Sequence, residues 1–76
     1  MKDLVTYVVE GLVDEPGQVE VRDVRGDQAR VLEVLVAPED RGKLIGKEGR
    51  TIRALRTLVA AAASRSGGRV VVDVLD

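Results

Sequence analysis

The stretch Leu44-Ile45-Gly46-Lys47-Glu48-Gly49-Arg50-Thr51-Ile52 decides the reading of this 76-residue chain. Its two glycines stand three positions apart, between an apolar pair and an apolar-periodic segment that begins at Ile52. Glycine permits φ > 0, and its missing Cβ lets a second backbone come close. The spacing therefore predicts a very tight turn joining two helices. Such a turn delivers a new helix N-terminus, whose unpaired amides and dipole attract phosphate.

The elements on either side follow from pattern. Pro38 ends a strand and opens a helix, with Glu39 and Asp40 suited to its positive end. That helix is short, because Gly46 closes it. A longer helix is predicted from about Arg50 to Ser66, with Ile52, Leu55, Val59 and Ala62 as its inward stripe and Leu58 alongside. Arg50, Arg53 and Thr57 fall on another face, and Arg56 flanks the stripe near Ile52. Gly67-Gly68 ends this helix, and the valine-rich run Arg69 to Leu75 reads as a buried final strand.

Upstream, Ala29 to Ala37 and Gln18 to Arg25 read as two strands joined by a hairpin at Gly26-Asp27. Asp14-Glu15-Pro16-Gly17 breaks the chain with turn chemistry. Before it, Asp3 to Val13 places Leu4, Val8 and Leu12 on a helical stripe with Asp3 as its cap. Val5, Thr6, Val8 and Val9 are β-branched, so a strand is the alternative there. The predicted class is α+β, in the order α-β-β-α-α-β.

Composition bounds the chemistry. A chain this short buries only roughly 60% of its unfolded surface, which favours one domain over residues 1–76 without a large active-site cavity. With no cysteine or histidine, disulfides, thiolate and imidazole metal sites and the commonest general base are excluded. Thr51, Thr57, Ser64 and Ser66 thus have no histidine to activate them, and Asp14-Glu15 and Glu39-Asp40 read as a turn and a helix start. No enzyme and no cofactor are expected. The start Met-Lys-Asp-Leu-Val is not a signal peptide and no apolar run spans a bilayer, which makes the cytoplasm the expected location.

The formal net charge of −1 conceals an asymmetry. Residues 41–56 carry Arg41, Lys43, Lys47, Arg50, Arg53 and Arg56 against Glu48 alone, a local +5, while the remainder carries −6. With a Debye length of about 8 Å, an anion near this segment feels chiefly the local charge. Cations around a helix start, beside Leu44, Ile45 and Ile52, suit a phosphate clamp with an apolar groove for a short single strand.

Other phosphate loops fail on spacing. Gly42 and Gly46 have three residues between them where a Walker A loop has four, and Glu48 stands where that loop needs a hydroxyl. The Gly-x-Gly-x-x-Gly pattern of dinucleotide sites is missing. The plain alternative is that Gly46 caps one helix and Gly49 eases the start of the next. The local charge and the flanking isoleucines favour the clamp.

Ile45-Gly46-x-x-Gly49-Arg50-x-Ile52 resembles the signature of the K-homology (KH) domain, whose GXXG loop clamps about four nucleotides. The element order resembles the type II arrangement of that domain. The wider stretch from Val36 to Arg56 resembles the small stand-alone bacterial KH proteins of the KhpA family. This resemblance implies a mixed three-stranded sheet with three helices on one face. It implies that Gly46, Lys47, Glu48 and Gly49 meet the sugar–phosphate backbone, with bases between the helix pair, at Ile45 and Ile52, and the second strand; the local charge adds Lys43, Arg50 and Arg53 to these RNA-binding candidates. It further implies homodimers, pairing with a larger KH-containing partner of the KhpB (Jag) type, and a role in RNA chaperoning or post-transcriptional regulation. Glu48 departs from a purely basic loop: it either opposes phosphate or turns away to pair with a neighbouring arginine.

Tyr7 is the only aromatic residue, so an aromatic base-stacking platform is unavailable and an aliphatic groove is the fitting alternative. The competing functional reading is a protein-interaction module. Ala54, Thr57, Ala60, Ala61 and Ser64 give the long helix a small-residue outer surface that suits a dimer face.

Overall fold

The computed structural model describes residues 1–75. Helix α1 (Lys2–Leu12) leads through a 3-10 turn (Pro16–Gln18) into strand β1 (Glu20–Arg25), followed by β2 (Arg30–Leu35). Helices α2 (Pro38–Ile45) and α3 (Gly49–Arg65) come next, and β3 (Val70–Val74) closes the order α-β-β-α-α-β. This is an α+β, type II KH-like arrangement.

The sheet order is β1-β2-β3. Strand β2 pairs antiparallel with β1, aligning Val21 with Val34, and parallel with β3, aligning Leu32 with Val72. Alternation then turns Val21, Leu32, Val34 and Val72 to one face, where all four are buried. Val5 and Val9 of α1, Leu44 of α2, and Ile52, Leu55 and Val59 of α3 pack with them in one core. The opposite face carries the exposed Glu20, Arg22, Val24, Val71 and Asp73.

Several expected details are corrected. Helix α1 buries Val5 and Val9, not Leu4, which is 47% exposed; the true stripe lies one position along. Its N-cap is Met1, with Asp3 inside the first turn. Ala63, not Ala62, completes the α3 stripe, and Leu58 is 64% exposed. The spacing Ile52, Leu55, Val59, Ala63 keeps the buried side chains on one narrow arc at 3.6 residues per turn. The final strand is not buried throughout: β3 is an edge of the sheet, and Val71 is partly exposed while Val72 is buried. The hairpin is closed by the Gly26 N–H donating to the Ala29 carbonyl at 2.8 Å, which leaves Asp27 and Gln28 at its tip.

Asp40 is the one buried polar side chain among the described residues, 2% exposed. Its carboxylate accepts the backbone N–H groups of Asp14 and Glu15, both at 3.0 Å. That pair of bonds ties the first turn of α2 to the segment after α1. Since α2 runs directly into the glycine turn, this anchor also fixes the turn's place in the fold.

Candidate nucleic-acid interface

The glycine turn is set by backbone hydrogen bonds. Gly46 N–H donates to the Gly42 carbonyl at 2.9 Å, Glu48 N–H to Lys43 at 2.7 Å, and Gly49 N–H to Gly46 at 3.0 Å. Neither glycine of the motif has positive φ; among the described residues only Gly67 does, at 79°. The requirement at Gly46 is therefore close approach. A Cβ there would stand 3.2 Å from the Gly42 carbonyl oxygen, closer than ordinary contact. Gly49 is buried beneath the Arg53 guanidinium, with room for a Cβ at 3.4 Å.

Helix α3 starts at this turn. Among the described residues, the Arg50 and Thr51 amides have no backbone acceptor, the usual condition of a first helical turn. Lys47, Arg50 and Arg53 are exposed, and no hydrogen bond or ion pair occupies their side chains among the described residues. The other cations of residues 41–56 are committed. Lys43 is turned to Asp14, with Nζ 3.3 Å from Oδ1. Arg41 Nε donates to the Leu75 carbonyl, and Arg56 Nε donates to the Val72 carbonyl, each at 3.1 Å. Lys47, Arg50 and Arg53 thus stand unpartnered at the turn and the start of α3, whereas Lys43 is paired with Asp14.

Glu48 is half-buried at the N-cap of α3. Its carboxylate accepts the Thr51 hydroxyl at 3.5 Å, and no arginine pairs with it among the described residues. The chain's own anion therefore sits at the positive end of α3.

Beside the turn lies a cleft of about 260 Å³, bordered by Ile45, Ile52, Arg53, Arg56 and Val74. Ile45 is 54% exposed and forms an apolar rim, while Ile52 is buried and forms part of the floor. The sheet side of this cleft is Val74 of β3, not the second strand. Strand order explains the difference: β2 lies in the middle of the sheet, so only the β3 edge reaches the helix pair from this side. Sequence reasoning missed Arg56 and Val74 as groove residues, and Asp40 as the anchor of α2. Arg56 was legible as flanking Ile52, but Val74 depends on strand order.

No group of histidine, cysteine, aspartate and glutamate among the described residues is arranged to hold a metal ion. No helix among them is long and apolar enough to cross a membrane.

Known proteins match over the whole of this architecture. The family model for the KhpA/KhpB KH domain matches residues 2–74. A relative from Clostridium acetobutylicum, named RNA-binding protein KhpA, is 48% identical over 75 residues, covering 99% of this chain and all of the relative. Relatives of the same name from Chlamydia caviae and Treponema pallidum are 43% and 44% identical, spanning 97% and 94% of those proteins. No solved structure matches the chain significantly. With this coverage and these identities, the chain belongs to the KhpA/KhpB KH-domain family, a non-enzymatic kind.

Proposed function

We propose that the chain binds short single-stranded RNA, holding the sugar–phosphate backbone at the Gly46-Lys47-Glu48-Gly49 turn and the bases against Ile45 and the floor at Ile52. The observation that carries this reading is the convergence of three unpartnered cations, Lys47, Arg50 and Arg53, on the amide-rich start of α3. The cleft beside them is aliphatic, which suits a base that is packed and not ring-stacked. The name RNA-binding protein carried by the relatives supports the same conclusion. Lys43 contributes only at longer range, through its charge, because its ammonium is held by Asp14.

A groove for about four nucleotides discriminates little by itself. Broad binding, in the manner of a cytoplasmic RNA chaperone or post-transcriptional regulator, follows from it. Salt titration tests the reading. Three phosphates neutralised on a single strand give a slope of log K against log salt of about −2. A slope near zero contradicts it.

Dimerisation, with a second copy or a KhpB-type partner, is proposed alongside RNA binding on the strength of Leu58. This large apolar side chain is 64% exposed on α3, between Ala54 and Ala61 and away from the cleft. Small neighbours allow a second helix to approach it closely. Sedimentation of the wild type against Leu58→Glu tests this: the dimer is expected to dissociate, while the monomer keeps its RNA affinity. Tight dimers with no RNA affinity in the wild type would instead favour a pure interaction module.

A further inference from the structure

The glycine turn holds an anion among its cations. Glu48 lies between Lys47 and the start of α3, where Lys47, Arg50 and Arg53 are unpartnered among the described residues. Its backbone is pinned on both sides. The Glu48 N–H donates to the Lys43 carbonyl at 2.7 Å, and its carbonyl accepts the Ile52 N–H at 3.0 Å. The side chain is half-buried, so the carboxylate stays within its own short reach of the turn.

The usual structural uses of an acid at this place are not made. An N-cap side chain ordinarily accepts the amide of the second or third helical residue, and Glu48 makes no such bond. No lysine or arginine pairs with it among the described residues. The helix dipole favours an anion there, but it favours a short acid as well as a long one. The one side-chain bond of Glu48 takes the Thr51 hydroxyl at 3.5 Å, a long contact. A carboxylate offers about four lone-pair sites, so most of its accepting capacity is left over.

We propose that Glu48 selects RNA over DNA, its carboxylate accepting the 2′-hydroxyl of a ribose whose phosphate lies at the turn. The proposal rests on the RNA-binding reading above and specifies the sugar that the site takes. An acid beside a phosphate repels the strand whatever its sugar. A donor on the strand offsets that repulsion, and the backbone carries one kind, the 2′-hydroxyl, which DNA lacks. Ribose therefore gains a charge-assisted hydrogen bond, while deoxyribose meets the repulsion alone. The Ile45 rim and Ile52 floor of the cleft are aliphatic and read no hydroxyl, which leaves this distinction to the turn.

The test uses one short oligonucleotide of adenine and cytosine, so that the bases are identical in RNA, DNA and 2′-fluoro RNA. Fluorescence anisotropy compares the three on the wild type, Glu48→Gln and Glu48→Ala. The wild type is expected to bind RNA about tenfold more tightly than DNA, the effect of one hydrogen bond to a charged group. The 2′-fluoro strand keeps the ribose pucker but has no hydroxyl to donate, and should bind as weakly as DNA. Glu48→Ala should raise DNA affinity about threefold, since one like charge is removed, and bring RNA and DNA within about twofold of each other. Glu48→Gln keeps an acceptor oxygen without the charge and should fall between, and it carries the comparison if circular dichroism shows the alanine variant unfolded. An RNA preference that survives in full in both variants overturns the proposal, because an acid that only stabilises α3 leaves the ratio untouched. A wild type that binds DNA or 2′-fluoro RNA as tightly as RNA also overturns it. If no strand binds the wild type, the clamp reading itself fails and the sugar selection falls with it.

Discussion

The Oδ1 atom of Asp40 accepts the backbone N–H of Asp14 at 3.0 Å, joining residues 26 positions apart. Oδ2 accepts Glu15 N–H at the same distance. A short helix that begins at a proline has few contacts of its own, and this buried carboxylate fastens it to the rest of the fold. Asp40→Ala removes both acceptors at once. Hydrogen bonds to a charged group contribute about 1.5–3 kcal/mol each, so a loss of roughly 3 kcal/mol in urea unfolding is expected after partial replacement by water. Asp40→Asn should cost less, since its one remaining oxygen still accepts.

The two glycines of the turn are not equivalent. Gly46→Ala places a Cβ 3.2 Å from a carbonyl oxygen that is itself held by the Gly46 amide. A destabilisation of about 1 kcal/mol is expected, as in other tightly packed sites. Gly49→Ala meets only ordinary contacts, and alanine is the better helix former by about 0.8 kcal/mol. Thermal denaturation should show Gly49→Ala unchanged or slightly raised.

Cation substitutions should separate by geometry and not by charge alone. Lys47→Ala and Arg53→Ala each remove an unpartnered cation at the turn, and RNA affinity is expected to fall about fivefold for each, equivalent to roughly 1 kcal/mol. Lys43→Ala should change affinity less than twofold at physiological salt, because its ammonium already faces Asp14 and acts only through a screened field. Fluorescence anisotropy on one oligonucleotide ranks the three.

The Arg30 guanidinium hydrogen-bonds Asp23 and holds its carboxyl below the usual 3.8. A carboxyl whose pKa is depressed on folding contributes stability above its unfolded pKa, and that contribution is lost as pH falls through the folded value. The pair is solvent-exposed, so the effect on stability is small and confined to acid. In an NMR titration Asp23 should move back towards 3.8 in Arg30→Ala.

What the sequence made legible was the local and periodic part. The element order, the short α2 closed by Gly46, and the glycine turn all rest on residues that act within a few positions of each other. Strand order does not, and so the run of valines at 70–72 suggested a strand buried throughout where the fold has an edge with Val71 partly exposed. Strand order also decides that Val74 borders the cleft beside the turn, which no local pattern shows. Asp40 passed as a helix-start acid because its partners lie 25 and 26 residues away. Lys43 could be read as a site cation, but its ion pair with Asp14 depends on how α1 and α2 pack. In α1 the valines at 5 and 9 and the apolar residues at 4, 8 and 12 compete for the same role, and only the packed core selects between them.

The central claim is that the turn from Gly46 to Gly49 holds the RNA backbone. It is tested most directly by the double substitution Lys47→Asp, Glu48→Asp, which puts two short anions where phosphate would lie without changing either glycine. RNA affinity is expected to fall by more than tenfold, while circular dichroism and the urea midpoint stay close to wild type. A folded double variant that binds RNA as tightly as the wild type would contradict the account.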